Sequence, residues 1–257
     1  MNLNLQDKVA VITGASRGIG RAIAETLSQE GMRLVLAARS GNLLAEVARG
    51  CPTEAVFLAA DLREEEAPPR LAGLAVEKFG RIDVLVNNAG ATRRGDFLQL
   101  TEEDWRDGFA LKFYSAVRCA RAAWPELVKT RGSIVNIAGV GGRTGSAEFA
   151  IGGAVNAAML NLTKVLADRG SQDDVRVNAI NPGAIKTDRL TMRIKKLAAE
   201  AGISLEAAAA RMAEDLGVRR FGEPGEIAAA VAFLASEKAG YCQGTIWDID
   251  GGETKTL

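Results

Sequence analysis

Three glycines between two apolar segments mark the first place in this sequence where chemistry is expected. Residues 13–20 read TGASRGIG; they follow the apolar run KVAVI at 8–12 and open an alanine-rich segment with the pattern of a helix. A strand, a glycine turn and a helix in that order form a phosphate cradle, because glycine lets the backbone approach a pyrophosphate and free N–H groups at the helix start hold it. This context, with a second strand about 20 residues later, predicts a dinucleotide site formed by Gly14, Ser16, Arg17, Gly18, Ile19 and Gly20.

The end of the second predicted strand indicates which dinucleotide is bound. That strand is followed by Arg39 and Ser40, with no carboxylate at position 38 or 39. An NAD site would place a carboxylate here for the ribose 2′-OH, whereas a 2′-phosphate favours arginine. Arg17 in the glycine turn offers a second guanidinium that can converge on the same phosphate. Arg39 alone could be a surface residue, but the two arginines together favour NADP(H) over NAD(H).

Short apolar segments alternate with longer helical ones along the whole chain. Strands are predicted at 8–13, 33–38, 55–60, 82–87, 132–138, 175–180 and 244–249, and helices at 18–30, 42–50, 64–79, 102–129, 151–169 and 224–236. Strands of near-continuous Val, Ile, Leu and Ala in this alternation are typical of a parallel sheet covered on both faces. The sequence therefore predicts one α/β domain over 1–257, a Rossmann-like, doubly wound parallel sheet of about seven strands with helices on both faces.

One charged, alanine-rich segment, residues 187–221, interrupts this alternation. Material beyond the carboxyl ends of strands in an open α/β sheet lies over the ligand crevice. We interpret the segment as a substrate lid, with a solvated helical hairpin as the alternative.

Composition excludes several function classes. Basic and acidic residues balance at 32 each, which argues against nucleic acid or an anionic membrane as partner. Residues 1–7 lack a signal-peptide pattern and no later segment is expected to span a bilayer, so we expect a cytoplasmic protein. The three cysteines are far apart and histidine is absent, so neither a disulfide framework nor a metal site is expected.

Further motifs follow successive strands in a characteristic order. Asp61 follows the third strand, NNAG at 87–90 the fourth, and NPG at 181–183 with Thr187 the sixth, and DGG closes the series at 250–252. Together with the glycine turn, this pattern resembles the short-chain dehydrogenase/reductase family over essentially the whole chain. The resemblance implies that Asp61 and Leu62 flank the adenine, that Asn88, Ala89 and Gly90 lie on the ribose side, and that the segment with Pro182, Gly183, Ile185 and Thr187 holds the nicotinamide carboxamide.

The family's catalytic positions differ in this chain. Members are known for a tyrosine proton donor, a lysine four residues later, an upstream serine and a helical asparagine. Here Gly152 stands at the tyrosine position, Asn156 at the lysine, Gly139 at the serine and Lys112 at the asparagine. The only tyrosines are at 114 and 241, so no shifted alignment restores the pair. Loss of the tyrosine side chain is expected to open space above the nicotinamide.

Lys112 is the candidate substitute, since a desolvated lysine can act as acid or base near neutrality. The alternative is an exposed lysine on the long helix. Tyr114 cannot share its helix face and is expected to be a core or interface aromatic. Thr144, Ser146 and Glu148 precede the missing tyrosine and could reach a substrate, although loop polar residues usually serve solvation.

Two classes of function remain open. The first is an NADP(H)-dependent oxidoreductase with a degenerate site, acting on a small carbonyl, alcohol or activated double bond. The second is a catalytically silent NADP(H)-binding sensor or structural protein. The resemblance, and the small residues of helices 102–129 and 151–169, also favour a homodimer or homotetramer.

Overall fold

Seven parallel strands form one twisted sheet in the computed structural model, which describes residues 1–255. The strands are β1 (Val9–Thr13), β2 (Arg33–Ala38), β3 (Ala55–Ala59), β4 (Val84–Asn87), β5 (Ser133–Ile137), β6 (Arg176–Pro182) and β7 (Ile246–Ile249). Their order across the sheet is β3-β2-β1-β4-β5-β6-β7. The order reverses between β1 and β4, and ligands of such sheets bind at the carboxyl ends of the strands beside that reversal.

Helices cover both faces of the sheet. They are α1 (Gly18–Gln29), α2 (Gly41–Gly50), α3 (Ala67–Phe79), α4 (Glu102–Phe109), α5 (Ser115–Thr130), α6 (Ala150–Asp173), α7 (Asp188–Ala201), α8 (Leu205–Asp215) and α9 (Pro224–Ala235). Successive strand residues point to opposite faces, so Ala10 and Ile12 pack with α1 and α9, whereas Val9 and Val11 pack with α3 and α5. The doubly wound α/β fold expected from the sequence is confirmed.

The helix predicted over 102–129 differs from the structure. Residues 102–129 do not form one continuous α-helix, because a π-helical turn, Ala110–Tyr114, separates α4 from α5. Such turns insert one extra residue and are frequent at functional sites. Lys112 lies within this turn. The segment 187–221 forms α7 and α8, which pack on each other through Leu190, Met212 and Phe221.

The segment 147–173, which includes α6, is long and apolar enough by length and composition to cross a bilayer. Among residues 1–255 it is the only such helix, and length and composition alone do not make it a membrane span, so the expectation that no segment spans a bilayer is not contradicted. In the fold, α6 packs along β6 and buries Ile151, Val155 and Met159. One side of α6 is therefore buried in the fold.

Candidate active site at the carboxyl ends of the strands

The glycine turn after β1 forms a tight cradle against the end of β4. Thr13 Oγ1 accepts hydrogen bonds from the backbone N–H groups of Asn88 at 2.9 Å and Ala89 at 3.0 Å. The Asn88 side chain donates back to the carbonyls of Thr13 and Gly14. The two loops therefore hold each other in place at the point where the strand order reverses.

Glycine is required in this cradle by conformation and by space. Gly14 has φ +67°, and a Cβ there would lie 2.9 Å from Ala89 Cα. A Cβ on Gly20 would overlap the Gly14 carbonyl and lie 2.5 Å from Asn88 Nδ2. Helix α1 starts at Gly18 with no side-chain cap, which leaves its first N–H groups free for an anion. These residues fit the pyrophosphate of a dinucleotide, and Ser16 and Ile19 lie in the same turn.

The two arginines predicted to bind a 2′-phosphate face different neighbours. Arg39 is exposed after β2, and its charge helps lower the pKa of Asp61. Arg17 lies 3.6 Å from Asp188 at the start of α7. Because this ion pair is exposed to solvent, it contributes little to the stability of the fold. Ser40 stands at the N-cap of α2, without a side-chain cap bond.

Asp61 and Leu62 lie at the expected adenine side, next to β3. Leu62 is buried. Burial opposes ionisation of Asp61, but hydrogen bonds from the backbone and guanidinium of Arg63 outweigh it, so the pKa of Asp61 lies below its usual value. Arg63 is held in turn by Asp107 of α4 at 2.5 Å. The carboxylate is therefore fixed, charged and accessible from one side.

The segment after β6 reaches back to the glycine turn. Thr187 stands at the N-cap of α7, and a Cβ on Gly18 would lie 3.2 Å from its methyl group. Ile185 is buried and forms a parallel bridge with Gly222. Pro182 ends β6, and the N–H of Gly183 donates to the Ile249 carbonyl at 3.1 Å. The structure thus brings this segment beside the same crevice as Asn88, Ala89 and Gly90.

Lys112 points into this crevice and meets the residue at the family's lysine position. Its Nζ donates to Asn156 Oδ1 at 2.6 Å and to the Ala138 carbonyl at 2.7 Å. Gly90 packs on its methylenes, since a Cβ there would lie 2.8 Å from Lys112 Cδ. Burial, and then the positive charge of Arg189, lower the pKa of Lys112 from 10.5 to about 7. The alternative of an exposed surface lysine is therefore wrong.

Gly139 lies beside Asn156, the side chain that accepts from Lys112. It has φ +152° and ψ +149°, a conformation that glycine adopts and side-chain-bearing residues avoid. A Cβ there would lie 2.9 Å from Asn156 Nδ2. The N–H of Gly139 donates to Asn181, which donates to Asp248 at 2.8 Å. This chain of bonds fixes the loop after β5 beside Lys112.

The space beside Gly152 is not open, contrary to the sequence expectation. The ring of Phe149 lies against Gly152, and a Cβ on Gly152 would overlap its Cε2 and Cζ atoms. Gly141 also lies against this ring, and a Cβ on Gly141 would lie 2.9 Å from the nearest ring atoms. The guanidinium of Arg94 stacks over the ring at 3.9 Å from its centroid. Two glycines thus make room for an aromatic ring.

We expect Gly152→Tyr alone to destabilise the fold by about 1–3 kcal/mol, because the new side chain must displace the Phe149 ring and the Arg94 stack. The double variant Gly152→Tyr, Phe149→Ala should recover a large part of that loss. Urea unfolding of both variants, with Phe149→Ala as reference, measures the difference. Equal stability of Gly152→Tyr and wild type would contradict this packing.

Four residues near the crevice were not predicted from the sequence: Phe149, Arg94, Arg189 and Glu253. None belongs to a motif, and only the three-residue spacing from Phe149 to Gly152 could have indicated a contact. Arg189 donates from α7 to the Gly90 carbonyl. Glu253 accepts from the Ala184 N–H at 3.2 Å.

The remaining sequence candidates lie at the margin. Tyr114 is 50% exposed, so it is not a core residue, and its ring packs edge-on against Phe113. Thr144, Ser146 and Glu148 are exposed. Of these, Glu148 lies close enough to Arg94 to influence its pKa.

Comparison with known proteins matches the chain over nearly its full length. The sequence model of the family described as enoyl-(acyl carrier protein) reductase matches residues 14–254. Meso-2,3-butanediol dehydrogenase of Serratia marcescens is 34% identical, with 98% of this chain and 96% of that protein covered. The crystal structure of L-sorbose reductase from Gluconobacter frateurii with NADPH and L-sorbose superposes with a TM-score of 0.96 at 33% identity, covering both chains completely. YwfH, an NADPH-dependent reductase involved in bacilysin biosynthesis, gives 0.91 at 28% identity, covering 98% of this chain and 100% of that one.

Proposed function

Because the chain belongs to the short-chain dehydrogenase/reductase family, we propose that it is an NADP(H)-dependent oxidoreductase in which Lys112 replaces the usual tyrosine as proton donor. Its substrate is a small carbonyl compound or alcohol, or an activated double bond. The observation that carries the proposal is the Lys112 amine, buried beside Asn156 at the crevice, with a pKa near neutrality. A general acid works best when its pKa lies near the operating pH.

The site is atypical in arrangement. Lysine and asparagine have exchanged positions relative to the family pattern, so the positive charge comes from the π-helical turn instead of from α6. Gly139 and Gly152 leave no side-chain hydroxyl at the serine and tyrosine positions. Of the residues at the family's four catalytic positions, Lys112 is therefore the only titratable one.

The hydrogen bonds of Lys112 suit proton transfer. A charged ammonium has three N–H donors, and two of them are taken by Ala138 and Asn156. The third is free to donate to a substrate oxygen. After giving up its proton, the neutral amine still has two N–H groups for the same two acceptors. Transfer therefore breaks neither bond.

The proposed reaction is the reduction of a carbonyl group to an alcohol. When bound, NADPH supplies a hydride to the carbonyl carbon. The carbonyl π bond breaks as the oxygen takes a proton from Lys112, which yields an alcohol and leaves NADP⁺. Lys112 then regains a proton from solvent. In the reverse direction neutral Lys112 accepts the hydroxyl proton.

The cofactor would be held by the glycine cradle, Arg39 and the segment from Pro182 to Thr187. We expect NADPH to bind at least tenfold more tightly than NADH, because charged hydrogen bonds to a 2′-phosphate are worth roughly 1.5–3 kcal/mol. Arg39→Gln should remove most of this preference, and Arg17→Gln less, since Arg17 faces Asp188. Fluorescence titration of NADPH and NADH measures both affinities.

The control for this titration is Arg49→Gln, an exposed arginine at the end of α2. It should leave the ratio of the two affinities unchanged. Equal binding of NADPH and NADH by the wild type would contradict the assignment.

A catalytically silent NADP(H)-binding protein is the second candidate. It is favoured by the Phe149 ring, which fills space beside Gly152 that a substrate could use. Binding of NADPH without oxidation by any carbonyl compound would support this candidate over the enzyme.

We propose that α7 and α8 act as a substrate lid over the crevice. The bond from Arg189 to the Gly90 carbonyl joins α7 to the loop after β4 and supports this role. We also propose a cytoplasmic location, since the three cysteines are free thiols, as is usual in a reducing compartment.

A homodimer or homotetramer is proposed from the family and from the long helices α5 and α6. Val165, on α6, is 57% exposed in the single chain, as expected where a second copy packs. Sedimentation at micromolar concentration should give a species of at least twice the 27.1 kDa chain mass. A purely monomeric profile would contradict this proposal.

A further inference from the structure

We propose that the Phe149 ring is a wall that limits the size of the substrate beside Lys112. The site then takes carbonyl compounds and alcohols with short alkyl substituents, and it excludes those that place a six-membered ring against this wall. The inference rests on the proposed function, because it narrows the substrate class of the same site.

The Phe149 ring lies next to the residues that would handle the substrate oxygen. A Cβ on Gly141 would lie 2.9 Å from the ring atoms Cδ1 and Cε1, and 3.7 Å from Asn156 Nδ2. The ring and the Asn156 amide are therefore both within 4 Å of one point beside Gly141. Asn156 Oδ1 in turn accepts from Lys112 Nζ at 2.6 Å. A carbonyl group at Lys112 thus has the Phe149 ring within reach of its substituents.

The ring also separates the crevice from a second space. A Cβ on Gly152 would overlap the ring atoms Cε2 and Cζ, so the ring fills the volume beside Gly152. Phe149 also borders a cavity of about 300 Å³, which is lined by the loop 141–146 and by Gly153 and Ala157 of α6. Because an α-helix has about 3.6 residues per turn, Gly152 and Asn156 lie on the adjacent side of α6. Replacing the ring with a methyl group would therefore join the crevice to this cavity.

Several contacts hold the ring in this position. The Arg94 guanidinium stacks over it at 3.9 Å from the ring centroid. The backbone N–H of Phe149 donates to the Ser146 carbonyl at 2.9 Å, and the N–H of Gly95 donates to the Glu148 carbonyl at 3.1 Å. The second bond ties the loop after β4, which carries Arg94, to the residue before Phe149. The ring cannot swing aside without losing the stack, so it acts as a fixed wall.

The test compares two methyl ketones that differ only in the other substituent, butan-2-one and cyclohexyl methyl ketone. Steady-state oxidation of NADPH gives kcat/KM for each. The wild type should favour butan-2-one by about tenfold or more, the size typical of a pocket that rejects a larger apolar group. Phe149→Ala should raise kcat/KM for cyclohexyl methyl ketone by about tenfold or more and should change that for butan-2-one by less than about threefold.

Three further variants sharpen the comparison. Phe149→Leu keeps a smaller apolar side chain at the same place, so it should give a smaller gain, and it decides the question if Phe149→Ala does not fold. Arg94→Gln removes the stack and should relax the discrimination by less than Phe149→Ala does. The matched control is Phe57→Ala, a phenylalanine that is 39% exposed on the edge strand β3. It should keep the wild-type ratio of the two ketones.

A binding measurement separates this inference from the proposed function. Cyclohexyl methyl ketone is titrated by calorimetry into each protein saturated with NADP⁺, where no reduction occurs. Binding that is about tenfold tighter in Phe149→Ala than in the wild type, with no NADPH oxidation by any ketone, supports the wall and contradicts the reductase. The same binding and the same ketone ratio in the wild type and in the Phe149 variants overturn the wall. Turnover of butan-2-one would then leave the reductase standing.

Discussion

Replacing Lys112 with methionine should lower the rate of carbonyl reduction by about 10²–10⁴-fold, the usual contribution of a positioned general acid. Methionine keeps the length and packing of the side chain against Gly90 but has no proton to give. NADPH binding should change little, because Lys112 makes its polar contacts with Ala138 and Asn156. Single-turnover oxidation of bound NADPH measures the loss.

Two control variants separate the loss of proton transfer from the loss of positive charge and from nonspecific damage to the fold. Lys112→Arg keeps a cation whose pKa is too high to donate at neutral pH, so it should also lose most of the rate. Lys129→Met removes an exposed lysine that pairs with Glu126 on α5 and should leave the rate unchanged. A Lys112→Met enzyme that reduces ketones at the wild-type rate would refute the assignment.

The second large effect is expected at Gly20. A methyl group there would overlap the Gly14 carbonyl and lie 2.5 Å from Asn88 Nδ2. The first contact is with the backbone and the second with a hydrogen-bonded side chain, so neither can move away. Gly20→Ala must therefore open the cradle or strain α1. We expect NADPH affinity to fall by about 100-fold or more, corresponding to about 3 kcal/mol or above.

The matched control for Gly20→Ala is Gly73→Ala. Gly73 lies inside α3 with open space around its Cα, so alanine should be tolerated and should stabilise the protein by roughly 0.5–1 kcal/mol. Fluorescence titration and thermal unfolding of both variants provide the comparison. Undiminished NADPH binding by Gly20→Ala would show that the cradle does not hold the cofactor.

The strands and most helices could be predicted because their apolar patterns reflect burial directly. The β2 run from Arg33 to Ala38 is buried on both faces and matches its prediction to the residue. The π-helical turn at 110–114 could not be predicted, since one extra residue in a turn leaves the surrounding apolar pattern almost unchanged. That turn nevertheless determines where the Lys112 side chain points.

The crevice was predicted in its residue types but not in its packing. Lys112 and Asn156 are 44 residues apart, so only the fold brings their side chains into contact. The Phe149 ring was missed because a glycine at 152 indicates missing volume, while the sequence does not reveal which neighbour fills it. The contact of Arg189 with the Gly90 carbonyl depends on α7 and the loop after β4, whose relative placement no local pattern encodes.

The pH dependence of reduction follows from the lowered pKa of Lys112. An acid must be protonated to act, so reduction should proceed below pH 7 and decline as the pH rises through about 7. Oxidation of the alcohol needs the neutral amine and should rise over the same range. Arg189→Gln removes a repelling charge, so it should move both transitions to higher pH.

Single-turnover oxidation of bound NADPH by a small ketone, followed from pH 5 to 9 in the wild type and in Lys112→Met, tests the proposed chemistry most directly. We expect a wild-type rate that falls above about pH 7 and a slow Lys112→Met rate without that transition. Tight NADPH binding with no oxidation at any pH, or the same pH profile in both proteins, would contradict it.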